Sequence, residues 1–228
     1  MAATKLGTTG LGIHDDNFYG MYRGKVLSNT DSSQLGRIKV QIYPMLADIT
    51  DTDLLPWAVP AYPIWDGSGS GVGYFAVPDV DTFVFTFFEA GNIYQPVYFA
   101  EAPTATLGLP SDRTTSYPNT KVRKSSSGIT YITDDTLKQS IIKTAGGIVS
   151  TIDDIASTVK LEHPTGTYIL VSADGGVTIH SIKDVVVNAV NAEINTSVNA
   201  DVVATGNVNI SGAIVNITGG TSVNINPT

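Results

Sequence analysis

The sequence predicts an all-β protein in two parts, a small N-terminal barrel followed by a C-terminal β-helix, or β-prism, in which three chains intertwine. Three observations predict it. Short β-prone runs punctuated by turn residues fill the first hundred residues, aromatic residues become scarce after them, and pairs of Val, Ile or Ala flanking one residue recur to the C-terminus. The chain is 42% hydrophobic but only 15% charged, well below the usual quarter or so of residues, so part of its surface is expected to lie against other chains. With no cysteine there is neither a disulfide nor a thiolate metal site. A net charge of −8 argues against nucleic-acid binding, whose affinity comes mostly from basic patches.

Residues 1–104 read as the barrel. Tyr22 to Leu27 is a β-prone run, followed by the turn-rich stretch Ser28 to Ser33. Arg37 to Tyr43 alternates polar and apolar residues, as a half-buried strand does, and Pro44 ends it for want of a backbone donor. The glycines from Gly67 to Gly73 form a flexible loop. They lack the Lys-Ser/Thr that would make a phosphate-binding loop. Phe83 to Phe88 is a strand, Ala90-Gly91-Asn92 a turn, and Pro96 to Phe99 a last strand. About five short strands in this length make a small barrel. All aromatic residues except Tyr117, Tyr131 and Tyr168 lie here, and bulky rings fill compact cores.

Residues 105–127, with Pro110, Pro118 and Ser125 to Ser127, read as a linker or neck. Residues 128–228 read as the shaft. In its first part Ile148, Ile152, Ile155 and Val159 fit a helical face, but Gly146-Gly147, Asp153-Asp154 and many β-branched residues favour strands joined by turns. Further on, the pairs Val177/Ile179, Val185/Val187, Ala192/Ile194, Ala200/Val202, Val208/Ile210, Val215/Ile217 and Val223/Ile225 recur every seven or eight residues. The alphabet of Val, Ile, Thr, Asn and Gly is that of strands. Burying one such side chain contributes roughly 1.5–3 kcal/mol, while ordering each residue costs about 1–2 kcal/mol. One repeat alone therefore does not hold, and repeats need stacked neighbours. Three chains winding together supply them at this period and leave no free sheet edge. The predicted trimer core is Val177, Ile179, Val185, Val187, Ile194, Val202, Val208, Ile210, Val215, Ile217, Val223 and Ile225. Between 184 and 228 the only charges are Asp184, Glu193 and Asp201, which discourage lateral clumping.

Several segments resemble, in order, the central spike proteins of contractile phage tails. Arg23-Gly24-Lys25-Val26, Asp31 and Leu35-Gly36-Arg37-Ile38-Lys39-Val40 are similar to the first hairpin of their OB-fold domain. Pro56-Trp57-Ala58, Pro78 to Val84, and Gly91-Asn92 with Pro96-Val97 resemble its later segments. Tyr117-Pro118-Asn119, Ser126-Ser127-Gly128, Ile132 to Thr136, His163 to Thr167 and Asp174 to Ile179 resemble the entry into the prism. The resemblance implies an OB-fold barrel and a trimeric baseplate spike that punctures the bacterial outer envelope when the sheath contracts. Its implied partners are two further copies, the tail hub and tube proteins, and the bacterial outer membrane. The implied location is the tail baseplate of the virion. The type VI secretion spike shares both modules and is the first alternative; a polysaccharide-cleaving tailspike is the second. The linker is too short for the lysozyme domain that some members insert. The three histidines, His14, His163 and His180, lack the His-x-His spacing of a metal-binding apex. A separate tip protein is expected beyond Thr228. The N-terminus carries no basic stretch leading into an apolar core, so no signal peptide is expected.

No catalytic residue, cofactor or metal is expected. Asp134-Asp135 and Asp153-Asp154 are adjacent pairs whose members point to opposite faces of a strand, and they read as turn residues. His163, before Pro164, also reads as a turn residue, and His180 as an outward one. Lys121, Arg123 and Lys124 read as a solvated linker cluster or as partners for acidic groups on another subunit.

Overall fold

The computed structural model describes residues 17–64, 67, 69, 71–105 and 108–218. The chain divides into two units, Met1–Ile182 and Lys183–Thr228. The first unit contains a closed barrel and a seven-stranded sheet.

The barrel strands are β1 (Tyr22–Ser28), β2 (Ile38–Ile42), β3 (Trp57–Pro60), β4 (Phe83–Phe88) and β5 (Pro96–Glu101), closed in the order β1-β2-β3-β5-β4. All pairings are antiparallel except β3 with β5. Alternation puts Val26, Ile38, Val40, Ile42, Val84 and Phe88 inside with Leu46, Leu55, Ala58 and Tyr98. Gly24 marks the tightest approach: a methyl group there would sit 2.3 Å from Val40 Cγ1. The expected strands at 22–27, 37–43, 83–88 and 96–99 are all present. The strand β3 went unrecognised in the sequence because it is four residues long and ends in proline.

The loop from β1 to β2 is built on one carboxylate. Asp31 accepts backbone N–H bonds from Ser33 (3.0 Å), Leu35 (3.0 Å) and Arg37 (3.4 Å). Its two oxygens also take Arg37 Nε at 2.9 Å and Nη2 at 2.7 Å. The Arg37 guanidinium first, and those N–H groups with it, hold the Asp31 carboxyl well below the usual carboxylate range. Buried Gln41 anchors the next segment, donating to Ala47 O (2.6 Å) and Ile49 O (3.2 Å) and accepting from Tyr43 Oη (2.8 Å).

The sheet is an antiparallel meander of β6 (Thr120–Lys124), β7 (Thr130–Asp134), β8 (Gln139–Lys143), β9 (Val149–Asp153), β10 (Thr158–Glu162), β11 (Tyr168–Val171) and β12 (Val177–His180). It begins inside the stretch expected to be linker. Pairing of Lys121 with Thr133 and of Arg123 with Tyr131 makes residues 120–124 its first strand, so the neck is shorter than composition implied. The helical reading of 148–159 fails as well, because Ile152 and Val159 are cross-strand partners.

Its turns repeat. Ser125, Thr144 and His163 each open a five-residue turn in which their N–H bonds the carbonyl of Ile129 (2.9 Å), Ile148 (3.0 Å) or Thr167 (2.8 Å). The fourth residues, Gly128, Gly147 and Gly166, have φ of 90°, 86° and 97°, a region that only glycine enters without strain. At the other edge Asp134 accepts N–H bonds from Thr136 (3.0 Å) and Leu137 (2.9 Å), and Asp153 accepts one from Ala156 (2.8 Å). The first series steps by 19 residues, 125 to 144 to 163, and Asp134 to Asp153 is the same step; the last turn, opened by Ser172, is of the five-residue kind, with Gly175 fourth at φ 84°. The sheet is thus a repeat of one hairpin, a period not detected in the sequence reading. The described residues of the second unit, 183–218, are exposed throughout, and none forms a strand within this chain.

Candidate functional site

Strand register sorts the meander's side chains onto two faces, and one of them is a ladder two residues wide. Its first row runs Lys121, Thr133 and Ser140, then Ile152, Val159, Val171 and Val177. Its second row runs Arg123, Tyr131 and Ile142, then Ser150, Leu161, Ile169 and Ile179. From β10 onward every member is aliphatic. These side chains lie in the open, from 37% exposed at Val171 to 68% at Val177. With roughly half of each still wet, covering the remainder is worth on the order of 1 kcal/mol per side chain. Neither row holds a carboxylate, though Asp135 and Asp154 in the edge turns line a hollow with Thr133, Ser140 and Ile152.

The opposite face satisfies itself. Asp112, in a short 3-10 turn (Ser111–Thr114), pairs with Lys124 at 3.1 Å and Lys143 at 3.5 Å. The Lys124 contact first, and Lys143 with it, hold the Asp112 carboxyl below its ordinary range. Gln139 Nε2 donates to Asp153 at 2.6 Å, and Lys160 pairs with Glu162 at 2.9 Å while lying 4.9 Å from the Tyr168 ring centroid. Tyr168 in turn stacks on His180, ring centroids 5.0 Å apart. An exposed apolar face behind a self-paired polar one marks a surface that docks.

Of the predicted trimer-core residues, Val177 and Ile179 occupy the last rungs of the ladder, cross-strand from Val171 and Ile169. Val185, Val187, Ile194, Val202, Val208, Ile210, Val215 and Ile217 are exposed in the second unit. Val223 and Ile225 lie outside the described residues. Sequence reasoning missed the earlier rungs Ile142, Val159, Leu161, Ile169 and Val171. Their signal was the same one-residue-flanking pair, disguised by the longer 19-residue hairpin period.

The acidic pairs do turn duty. Both oxygens of Asp134 are engaged, one by the Thr136 and Leu137 N–H groups and the other by Thr120 Oγ1 at 2.9 Å. The N–H of Leu137 is foremost in holding the Asp134 carboxyl low. Asp135 pairs with Lys121. His163 shares a 2.8 Å contact between Nδ1 and Thr165 Oγ1 inside its turn. Among the described residues no group of three or more His, Cys, Asp or Glu side chains is placed to hold a metal ion, and no helix is long and apolar enough to cross a membrane.

The barrel carries its own ordered surface. Trp57 lies beneath both Arg37 (5.2 Å) and Lys39 (4.5 Å), so the ion-paired Arg37 joins the Asp31 loop to β3. Outside β4 and β5, Phe99 packs against Phe85 and Phe87, and Arg23 lies over Phe85 at 5.3 Å.

A protein-family model, the type VI secretion system/phage-baseplate injector OB domain, matches residues 22–101, the span of β1 through β5. The barrel is similar to the baseplate-injector OB domain. The Asp31–Arg37 loop and the Gly24–Val40 contact both lie inside the matched span. The match supports a baseplate spike protein with an OB-fold and a structural role in phage or type VI injection. Comparison with curated proteins gave no match to the chain.

Proposed function

We propose that the chain is a homotrimeric central spike of a contractile injection particle. Three injector barrels seat it on the tail hub and tube. Three meanders close ladder face to ladder face into a prism, which the C-terminal segment extends, and the prism pierces the bacterial outer envelope when the sheath contracts. The observation that carries this reading is the uncovered aliphatic ladder, which holds no carboxylate for chemistry and fits copies of itself about a threefold axis. Pairs at the same two-residue spacing continue beyond β12 through residues 185–217, so the same dry interior runs on. In this reading the work is mechanical and the chain has no active site. Light scattering on purified protein tests it: three chains of 24.0 kDa give about 72 kDa, and a stable folded species of 24.0 kDa overturns it. Release of reducing sugar from envelope polysaccharide would favour a tailspike enzyme instead.

A further inference from the structure

Resting on the three-copy prism, we infer that its interior at the β6 end holds one small oxyanion, of the phosphate or sulfate class, clasped by Arg123 from each copy. The ladder face that is aliphatic from β10 onward begins with Lys121 and Arg123 on β6. They are the only charged members of its two rows; Asp135, Lys138 and Asp154 stand in the turns at its edge, beside Thr133, Ser140 and Ile152. Lys121 is answered within its own chain by Asp135. Among the described residues Arg123 has no ion pair; its guanidinium lies over the Tyr131 ring, 4.8 Å from the centroid. Stacking of this kind fixes the plane of the guanidinium and leaves its in-plane N–H fork free for oxygens.

Closing three ladder faces together brings three such cations near one axis. Like charges held in a dry interior are strongly unfavourable without a counter-charge. The row of Arg123 continues with Tyr131 and Ile142, which neutralise nothing, while the hydroxyl groups of Thr133 and Ser140 stand in the row of Lys121 and can donate to an anion. The carboxylates of β7, β9 and β10 all sit on the opposite face, where Asp112 and Glu162 already answer the lysines. Among the described residues none of these carboxylates shares a row with Arg123, so in this arrangement a bound anion supplies the counter-charge. A tetrahedral oxyanion on the axis presents three equivalent oxygens, one to each guanidinium, a geometry that Arg recognises well.

The test uses full-length protein in phosphate-free buffer, with mass by light scattering and titration of inorganic phosphate by calorimetry. The expected result is a species of about 72 kDa that binds one phosphate per three chains. Arg123→Gln should weaken that binding by at least about tenfold, and Lys121→Gln should change it by no more than about twofold. A folded monomer overturns the prism reading and the anion site with it. A trimer that binds no phosphate overturns the anion site alone. One phosphate per chain, or undiminished binding by Arg123→Gln, overturns the axial Arg123 assignment. If Arg123→Gln fails to assemble, the stoichiometry of the unmodified trimer decides.

Discussion

The barrel and the meander are both antiparallel at heart, yet they dispose of their apolar side chains in different ways. The barrel closes on itself, so Val26, Ile38, Val40, Ile42 and Val84 are covered within one chain. The meander stays open. Its cross-strand pairs are as regular, but Leu161, Ile169 and Ile179 face water in the isolated chain. Strand pairing is regular in both, apart from irregularities in the barrel at Val26/Ser28 and Phe85/Thr86, but the meander leaves β6 and β12 as free edges. What differs is closure: five strands returning to the first bury a core, whereas seven in line bury one face only if something else supplies the lid. A unit that covers its own core and one that leaves a face open can thus share strand lengths and antiparallel pairing.

The comparison is broken most directly by putting a charge on the ladder. Ile169→Asp should abolish assembly, lowering the mass by light scattering from about 72 kDa to the 24.0 kDa of one chain, while circular dichroism retains the folded barrel. Thr178→Asp, on the opposite face of the neighbouring strand β12, should leave the mass unchanged. If both variants stay trimeric, the ladder is not the interface. Next in size is Gly24→Ala. The added methyl meets Val40 at 2.3 Å, and overpacking of this kind costs typically 1–3 kcal/mol. Thermal unfolding should show the barrel transition falling while the assembly contact of the meander is kept.

Acid sharpens the contrast further. The Asp31 carboxyl is held low in the folded barrel. A carboxyl depressed on folding stabilises the native state above its unfolded pKa of about 3.9, and that contribution is lost as pH falls through the lower native value. Unfolding followed from pH 7 downward should therefore show barrel stability declining below about pH 4, with a shallower acid slope in Asp31→Asn. An unchanged slope would mean that the Asp31–Arg37 pair does not hold the loop. The smallest effect belongs to Gly147→Ala in one meander turn. With φ at 86°, a side chain there costs roughly 1–2 kcal/mol. The loss should be matched at Gly128 and Gly166 if the three turns are equivalent, as differential scanning calorimetry can check.

Much of the barrel was legible from sequence because each strand advertises itself locally. Arg37 to Tyr43 alternates, Phe83 to Phe88 is aromatic and β-branched, and Pro44 and Gly91 mark the ends. The start of the meander was not legible. Thr120 to Lys124 has a single aliphatic residue and three cations, and becomes a strand because Tyr131, Ile132 and Thr133 lie alongside. A pairing partner is not encoded in a strand's own pattern. The functional face was half legible for the same reason. Val177 and Ile179 stood out as a pair, but Leu161 and Ile169 join them only through register. The segment from Val185 to Ile217 shows the limit of this logic: its pairs are regular in sequence, and within one chain they have no strand to meet.

The 19-residue hairpin has a consequence for length. Two strands advance a sheet by roughly 9–10 Å, and each hairpin returns the chain to the same edge, with two side chains per strand on the same face. Whole units can therefore be gained or lost by duplication or deletion without altering girth, rung chemistry or the junctions at either end. In the proposed spike, such units would set the length in fixed steps, like notches on a ruler.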